Sequence, residues 1–375
     1  MTDQPDTPQP LQERPVPNGP AKEKLGRPPR FLLLVVLAVV AVAAGWSVVW
    51  YLGTRQADEL ITAWLAEEAA KGRTYDCAQR SVDGYPFRVE VSCLSPSVDI
   101  ADARPHIRAT AAEFRAVAQV WNLTHVIYEI DGPVRIESGN RPRRPDFAVD
   151  ADWELLQGSL RAPEGRISRG DLAIVDFRAS PDPKTLGPAG GATVSASHVE
   201  FHGRNANADD DTAPGARDID VAVDAKDLVV TPDGMGPPDA VDLSFVGRLG
   251  ALPYPPPRDP EAFLAAWRGN GGSVEVGKLS ATQGDTEIRA EGRLTPDDSG
   301  RPEGAVTVKL AGPDLSTPGS AGAFGGLAPI MALALRLTGK PDDIDGKTAL
   351  SGTIEMREGK VFLGPMPIVE LPRVF

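Results

Sequence analysis

The two cysteines are the residues of this chain with the clearest chemistry. Cys77 and Cys93 lie in the stretch YDCAQRSVDGYPFRVEVSC, and the chain has no other cysteine. A redox-active pair normally has C-x-x-C spacing, which is absent here. We therefore predict a structural disulfide between Cys77 and Cys93. This prediction requires that this part of the chain lie in an oxidising compartment.

The stretch SHVEFH is the best candidate for a metal site. On a strand, His198, Glu200 and His202 would share one face. Side chains two apart on a strand are about 6.7 Å apart, so the two histidines would be about 13 Å apart. The two histidines could therefore not bind the same zinc ion, because zinc lies ~2 Å from each ligand nitrogen. We therefore interpret these residues as a solvated strand face and predict no metal site there.

Three further patterns fall short of a known site. The stretch NANADDD (Asn205–Asp211) supplies oxygen ligands but lacks the glycine and the closing glutamate of an EF-hand loop. GSVEVGKL resembles a phosphate-binding loop, but Leu279 replaces the Mg²⁺-binding hydroxyl, and Val274 and Val276 alternate as in a strand. No G-x-S-x-G motif is present. We therefore expect no catalytic residue, no metal and no cofactor.

The composition excludes one class of partner and favours one class of fold. The net charge of −13 and the pI of about 4.9 disfavour nucleic-acid binding, which requires clustered lysine and arginine. Hydrophobic residues make up 41%, enough for a core. The 38 glycines and 36 prolines favour short strands and many turns over long helices.

An uncharged stretch near the N-terminus predicts a membrane helix. It is FLLLVVLAVVAVAAGWSVVWYLG, residues 31–53, and a helix of this length is about 35 Å long, enough to cross a bilayer core of about 30 Å. Trp46, Trp50 and Tyr51 at its distal end suit a membrane interface. Lysines and arginines before the span predict a cytoplasmic N-terminus.

The same stretch has a second interpretation, a signal peptide cleaved after Ala41-Val42-Ala43. The apolar run continues beyond that point to Gly53, which favours the uncleaved anchor. Residues 1–30, rich in proline and polar residues, are predicted to be a disordered cytoplasmic tail. Residues 54–73 are predicted to form a juxtamembrane helix, with Leu60, Ile61 and Trp64 on one stripe.

Residues 74–375 are predicted to form an exported β-rich domain. Alternating patterns recur along it, and they give about a dozen strands with one apolar face each. In FRVEVSC, Cys93 shares a face with Val89 and Val91. In FAVDADWELL, alternation predicts one strand from Phe147 to Leu155. One apolar face per strand is typical of antiparallel sheets.

Two short helices interrupt the strands. Asp259-Pro260-Glu261 has the pattern of an N-cap, a proline at the first helical position and an acidic first turn, and Gly269 ends the helix. Phe324, Leu327, Met331 and Leu335 have helical spacing. We therefore predict a mainly β fold: a long, curved antiparallel sheet, open or partly closed and groove-like, with a few short helices and one N-terminal transmembrane helix.

The block GRTYDCAQRSVDGYPFRVEVSC resembles the N-terminal signature of an uncharacterised family of single-pass envelope proteins from alphaproteobacteria. In that family, Gly-Arg precedes a cysteine, Gly-aromatic-Pro-Phe-Arg follows, and a second cysteine ends the block. This chain has Gly72-Arg73, Cys77, Gly84–Arg88 and Cys93 at those positions. Later blocks, such as EGKVFLGPMPIVELP, extend the resemblance over nearly all of residues 55–375. The resemblance implies no activity and no catalytic residue.

A more distant likeness is to AsmA-like envelope proteins, through the recurring pattern around Leu279 to Leu294. That likeness implies an N-terminal membrane helix and a long, groove-forming β-sheet. Such proteins are implicated in lipid traffic and outer-membrane upkeep. Because unrelated functions share folds, the likeness by itself assigns no function.

We expect a non-enzymatic protein anchored in the inner membrane, with its bulk in the periplasm, that maintains the envelope by binding or transferring a lipid. A sheet with one apolar face must be covered by helices, by a second sheet or by the acyl chains of a phospholipid or another envelope lipid. The alternative is a structural scaffold that binds other envelope proteins through loops or sheet edges. A hydrolase would require a catalytic motif, and the sequence offers none.

Overall fold

The computed structural model describes residues 30–101, 103, 105–139, 146–182, 191–206, 215–234, 236–257, 259–312, 335–336, 338–364 and 366–371. The predicted tail therefore lies outside the described residues, except for Arg30. The predicted helix around Phe324 to Met331 also lies outside them, although Leu335 at its end is described as helical.

Helix α1 runs from Arg30 to Ala70. The chain divides into two units between Trp50 and Tyr51, and this helix contributes to both. Among the described residues, it is the one helix long and apolar enough to span a membrane. Its apolar side chains are exposed, Phe31 to 75% and Leu52 to 59%. An exposed helix that is apolar on all sides is compatible with a single-pass membrane anchor.

The second unit begins with the last turns of α1, which pack on the first strands. Arg80 donates hydrogen bonds to the Asp58 carboxylate and the Thr62 hydroxyl, both at 2.8 Å. The rings of Trp64 and Tyr75 are 5.2 Å apart. These contacts fasten residues 51–70 to the sheet.

In the described chain, 21 strands form one antiparallel sheet that is not closed. The strands are β1 (Arg73–Asp76), β2 (Gln79–Asp83), β3 (Arg88–Leu94), β4 (Ser97–Ile100), β5 (His106–Thr110), β6 (Glu113–Gln119), β7 (Asn122–Asp131), β8 (Val134–Gly139), β9 (Phe147–Asp152), β10 (Leu155–Arg161), β11 (Arg169–Pro181), β12 (Ala192–Asn205), β13 (Ala216–Pro232), β14 (Val241–Pro253), β15 (Ser273–Gln283), β16 (Thr286–Pro296), β17 (Pro302–Ala311), β18 (Lys340–Ile344), β19 (Lys347–Arg357), β20 (Lys360–Leu363) and β21 (Met366–Glu370). The predicted antiparallel sheet is therefore confirmed.

The first ten strands are five long strands, each broken near its middle. The breaks are the short connections 77–78, 95–96, 111–112, 132–133 and 153–154. Strands β1, β4, β5, β8 and β9 pair side by side in that order, and strands β2, β3, β6, β7 and β10 do the same. The five breaks are therefore aligned across the sheet. We call this line the crease.

The crease continues into the longer strands. One half of β11 pairs with β10 and the other half with β9, and Asp176 lies between the halves. Asp176 has a φ of 52°, and Asp227 in β13 has a φ of 49°. Aspartate tolerates this left-handed conformation better than most residues.

The apolar positions change phase by one residue at the crease. In β11 they are Leu172 and Ile174 before Asp176, and Phe177 and Ala179 after it. An extra residue in a strand, as in a β-bulge, shifts the alternation by one position. The shifted pattern keeps the apolar side chains on one side of the sheet as the strand crosses the crease.

The prediction of one continuous strand from Phe147 to Leu155 was wrong. The strand ends at Asp152, and a new strand begins at Leu155. The indole of Trp153 donates a hydrogen bond to the Ile130 carbonyl oxygen at 2.7 Å, which holds this break in place. Leu155 is 41% exposed, and its neighbour Leu156 takes the buried position.

The predicted disulfide between Cys77 and Cys93 is confirmed. Cys77 lies in the crease between β1 and β2, and Cys93 lies in β3 opposite Phe114 of β6. Cys93 is 4% exposed, in agreement with the strand alternation. The bridge joins the connection between two edge strands to the interior of the sheet.

Helix α2 (Pro260–Gly269) has the predicted ends. The Asp259 carboxylate accepts a hydrogen bond from the amide of Ala262 at 2.8 Å, which caps the first turn. The indole of Trp267 donates to the Gly250 carbonyl oxygen at 2.7 Å. These contacts place α2 beside the end of β14.

Candidate functional site

The two sides of the sheet differ in chemistry from β10 to β14. Residues opposite one another in an antiparallel pair point to the same side. The registers therefore place ten apolar residues of these five strands on the same side of the sheet. We call this set the apolar face: Leu156, Leu160, Leu172, Ile174, Val199, Phe201, Val221, Val223, Leu243 and Phe245.

The opposite side, which we call the charged face, carries ion pairs between neighbouring strands. Asp220 of β13 accepts from Arg204 of β12 and from Arg248 of β14, both at 2.7 Å. Lys226 donates to Asp242 at 2.9 Å. Such pairs between exposed side chains stabilise a sheet weakly, so they mark the side that faces water.

The predicted strand face of His198, Glu200 and His202 lies on the charged face. His198 Nε2 and Glu200 Oε1 are 2.8 Å apart, and His202 Nε2 and Glu200 Oε2 are 3.2 Å apart. His202 Nδ1 lies 2.8 Å from Oδ1 of Asp171 in β11. Within the described ranges, no group of three such side chains is arranged to hold a metal ion.

Carboxylates on both sides of the ring favour the charged form of His202. The hydrogen bond to Asp171 raises the pKa of His202, with a smaller contribution from Glu200. The pKa of Asp171 falls to about 2, chiefly through Arg169 and then through His202. The carboxylates of Asp171 and Glu200 contact the ring of His202, and the guanidinium of Arg169 contacts Asp171.

These contacts predict a pH-dependent contribution of His202 to stability. Its raised pKa means that the contribution is fully present below pH ~6.5 and is lost as the pH rises through the folded-state pKa. The difference in unfolding free energy between wild type and His202→Gln should therefore shrink at alkaline pH. Urea unfolding at pH 6 and pH 9 measures it. With Asp171→Asn as the background, the difference should be smaller at pH 6; an unchanged difference would contradict this origin.

The apolar face continues on the same side of the sheet through β15, β16 and β17. We call this continuation its C-terminal end, and it is covered. There, side chains from β16, β17 and β20 pack together with Leu335, which is 1% exposed. The buried members of this cluster are Ile288, Ala290, Val308, Leu310, Leu335 and Leu363. This cluster is a conventional hydrophobic core.

The middle of the apolar face is not covered in the same way. Phe201 of β12 is 40% exposed and Leu160 of β10 is 37% exposed. Large apolar side chains on the inner side of a sheet are normally buried by a second layer. This part of the face therefore presents apolar surface that a ligand could cover.

A pocket of about 530 Å³ opens on this part of the apolar face. Its size lies within the range of small-molecule sites, about 300–1,000 Å³. Helix α2 contributes Phe263, and the segment after β14 contributes Tyr254. The apolar residues of its lining include Ile167, Phe201, Ile219, Leu252, Tyr254 and Phe263.

Two glycines form part of the pocket floor. Gly170 of β11 and Gly203 of β12 lie opposite each other, both in the phase of the apolar face. A Cβ at Gly170 would lie 3.2 Å from Leu160 Cδ2, and one at Gly203 would lie 3.4 Å from the Phe201 ring. The absence of side chains here leaves room between the larger apolar neighbours.

Of the remaining sequence patterns, one lies in a strand and the other lies mostly outside the described residues. GSVEVGKL forms the start of β15, so it is a strand and not a phosphate-binding loop, as predicted. Asn205 ends β12, and most of the acidic stretch that follows lies outside the described residues. No pattern in the sequence predicted the pocket. The available signal was glycine in place of an apolar residue at the same level of two neighbouring strands.

Comparison with known proteins gives a family and no relative of known activity. A family described as "Uncharacterized protein conserved in bacteria (DUF2125)" matches residues 50–372. No curated protein and no solved structure matches the chain. The matched range includes the disulfide, the sheet and the pocket.

Proposed function

The chain belongs to this uncharacterised bacterial family, and we propose that it is a non-enzymatic, membrane-anchored protein that binds a lipid on its apolar face. The proposed location is the inner membrane, with the sheet in the periplasm. Binding or transfer of the lipid would serve maintenance of the cell envelope.

The half-exposed middle of the apolar face supports this proposal most directly. Phe201 and Leu160 remain more than a third exposed, whereas the apolar side chains of the cluster at the C-terminal end are buried. The pocket beside them is lined mainly by apolar side chains. An acyl chain covers such a surface without requiring a second layer of protein.

The proposed location rests on the anchor and the disulfide. Lys22, Lys24 and Arg27 precede the apolar helix, which favours a cytoplasmic N-terminus. The Cys77–Cys93 bridge favours an oxidising compartment for the sheet. Both features agree with an exported domain.

Lipid extraction from two matched variants tests the proposal. Phe201 and Val246 are similarly exposed, at 40% and 48%, but lie on the apolar face and the charged face respectively. The full chain, purified in mild detergent, should carry lipid detectable by mass spectrometry of organic extracts. Phe201→Asp should reduce that lipid severalfold and Val246→Asp should not, because only the first places a charge among the acyl contacts.

Equal lipid content in wild type and both variants would overturn the proposal, since it would trace the lipid to the membrane helix alone. A reproducible protein partner in place of a lipid would favour the scaffold. Thermal unfolding of both variants provides the control that each is folded.

A further inference from the structure

The pocket on the apolar face has an excess of positive charge. Arg169, Arg204 and Arg217 line it, and no aspartate or glutamate does so among the described residues. Arg169 is paired with Asp171 at 2.8 Å and Arg204 with Asp220 at 2.7 Å. These two charges are therefore compensated on the charged face.

Arg217 differs from the other two arginines. In the part of the chain that the structure describes, no carboxylate lies within salt-bridge distance of it. Its guanidinium carbon lies 3.2 Å above the centre of the Tyr254 ring, and both residues line the pocket. Stacking on an aromatic ring fixes the plane of the guanidinium and leaves its N–H donors free at the edge.

An uncompensated cation beside apolar surface favours an anionic ligand. Charges attract more strongly where water is partly excluded than in bulk solvent. A guanidinium also binds two oxygens of a planar carboxylate or of a tetrahedral phosphate through two parallel hydrogen bonds. The neighbouring apolar wall, including Phe201, Leu252 and Phe263, suits an alkyl chain.

We propose that the pocket binds the anionic head group of an amphiphile, a carboxylate or a phosphate ester held by Arg217, with its alkyl chain on the apolar face. This inference rests on the proposed function and specifies its ligand class. Both a fatty acid and a phosphate-bearing lipid would offer this chemistry.

Three photoreactive probes with the same chain and different head groups test the inference. They are diazirine-bearing palmitic acid, palmityl phosphate and palmityl alcohol, each added to the full chain in a nonionic detergent. Labelling is quantified by mass spectrometry of peptides from β12 to β14. The control variant is Arg248→Gln, which removes an arginine from the charged face of the same region.

At least one anionic probe should label these peptides about tenfold more than the alcohol, the size expected of a charge-assisted hydrogen-bond pair. Arg217→Gln should reduce that labelling to the level of the alcohol and leave the alcohol itself unchanged, whereas Arg248→Gln should preserve the preference. Preference for palmitic acid alone would identify a fatty acid; preference for palmityl phosphate alone would identify a phosphate-bearing lipid.

Equal labelling by all three probes in wild type would overturn the head-group inference and leave the proposed function intact. Failure of every probe to label the pocket would overturn both. The comparison of probes in wild type requires no variant, so a folding defect in Arg217→Gln would not obscure it.

Discussion

Replacing Leu310 by alanine is expected to lower the free energy of unfolding by about 2–5 kcal/mol. Leu310 is 7% exposed and belongs to the core formed with Val308, Leu335 and Leu363. Its truncation removes buried methyl groups and leaves a cavity that the surrounding β-strands cannot easily close. Urea unfolding of the full chain in detergent, followed by tryptophan fluorescence, measures the loss.

The matched control is the same substitution on the open part of the face. Leu160 is 37% exposed, so Leu160→Ala should lower the free energy of unfolding by only about 1 kcal/mol. The contrast follows from a sheet whose apolar side is packed at one end and open in the middle. Equal losses at the two leucines would show that the middle is packed as tightly as the end.

Removal of the disulfide is the second large effect. The double variant Cys77→Ala/Cys93→Ala should lose about 3 kcal/mol, the loop-closure entropy of a crosslink over about 15 residues. Alanine is the better replacement because Cys93 is buried, and serine would place a hydroxyl there. Urea unfolding of the wild type and the double variant measures this loss.

Reduction of the wild type provides an independent check on this second prediction. Wild type in excess dithiothreitol should match the double variant, and the variant itself should not respond to reductant. A reduced wild type as stable as the oxidised protein would show that the strand contacts of β1 and β2 hold this edge without the bridge.

Strand alternation in the sequence predicted which side chains share a face. His198, Glu200 and His202 lie together on one side of β12, and Val89, Val91 and Cys93 lie together in β3, because alternation within a strand is a local property. The capping pattern at Asp259 predicted the start of α2 for the same reason.

The crease was not predictable from the sequence in the same way. Ser95-Pro96 and Gly132-Pro133 each have the composition of an ordinary turn. Only the pairing of neighbouring strands aligns these breaks into one line, and pairing depends on contacts between distant parts of the chain. Alternation alone therefore predicts one strand from Phe147 through Asp152 to Leu155.

The pocket was missed because its residues come from separate elements. Phe201, Arg217, Tyr254 and Phe263 belong to β12, to β13, to the segment after β14 and to α2. No spacing in the sequence links them. The stacking of Arg217 on Tyr254 also depends on a contact between residues far apart in the chain, which local patterns do not encode.

Site-specific photo-crosslinking in living cells tests most directly whether the apolar face binds lipid. A photoreactive phenylalanine analogue replaces either Phe201 on the apolar face or Val246 on the charged face of the full chain. We predict a lipid adduct at position 201 and none at position 246, detected by mass spectrometry of the digested protein. A protein adduct at position 201, or equal lipid adducts at both positions, would contradict lipid binding by the apolar face.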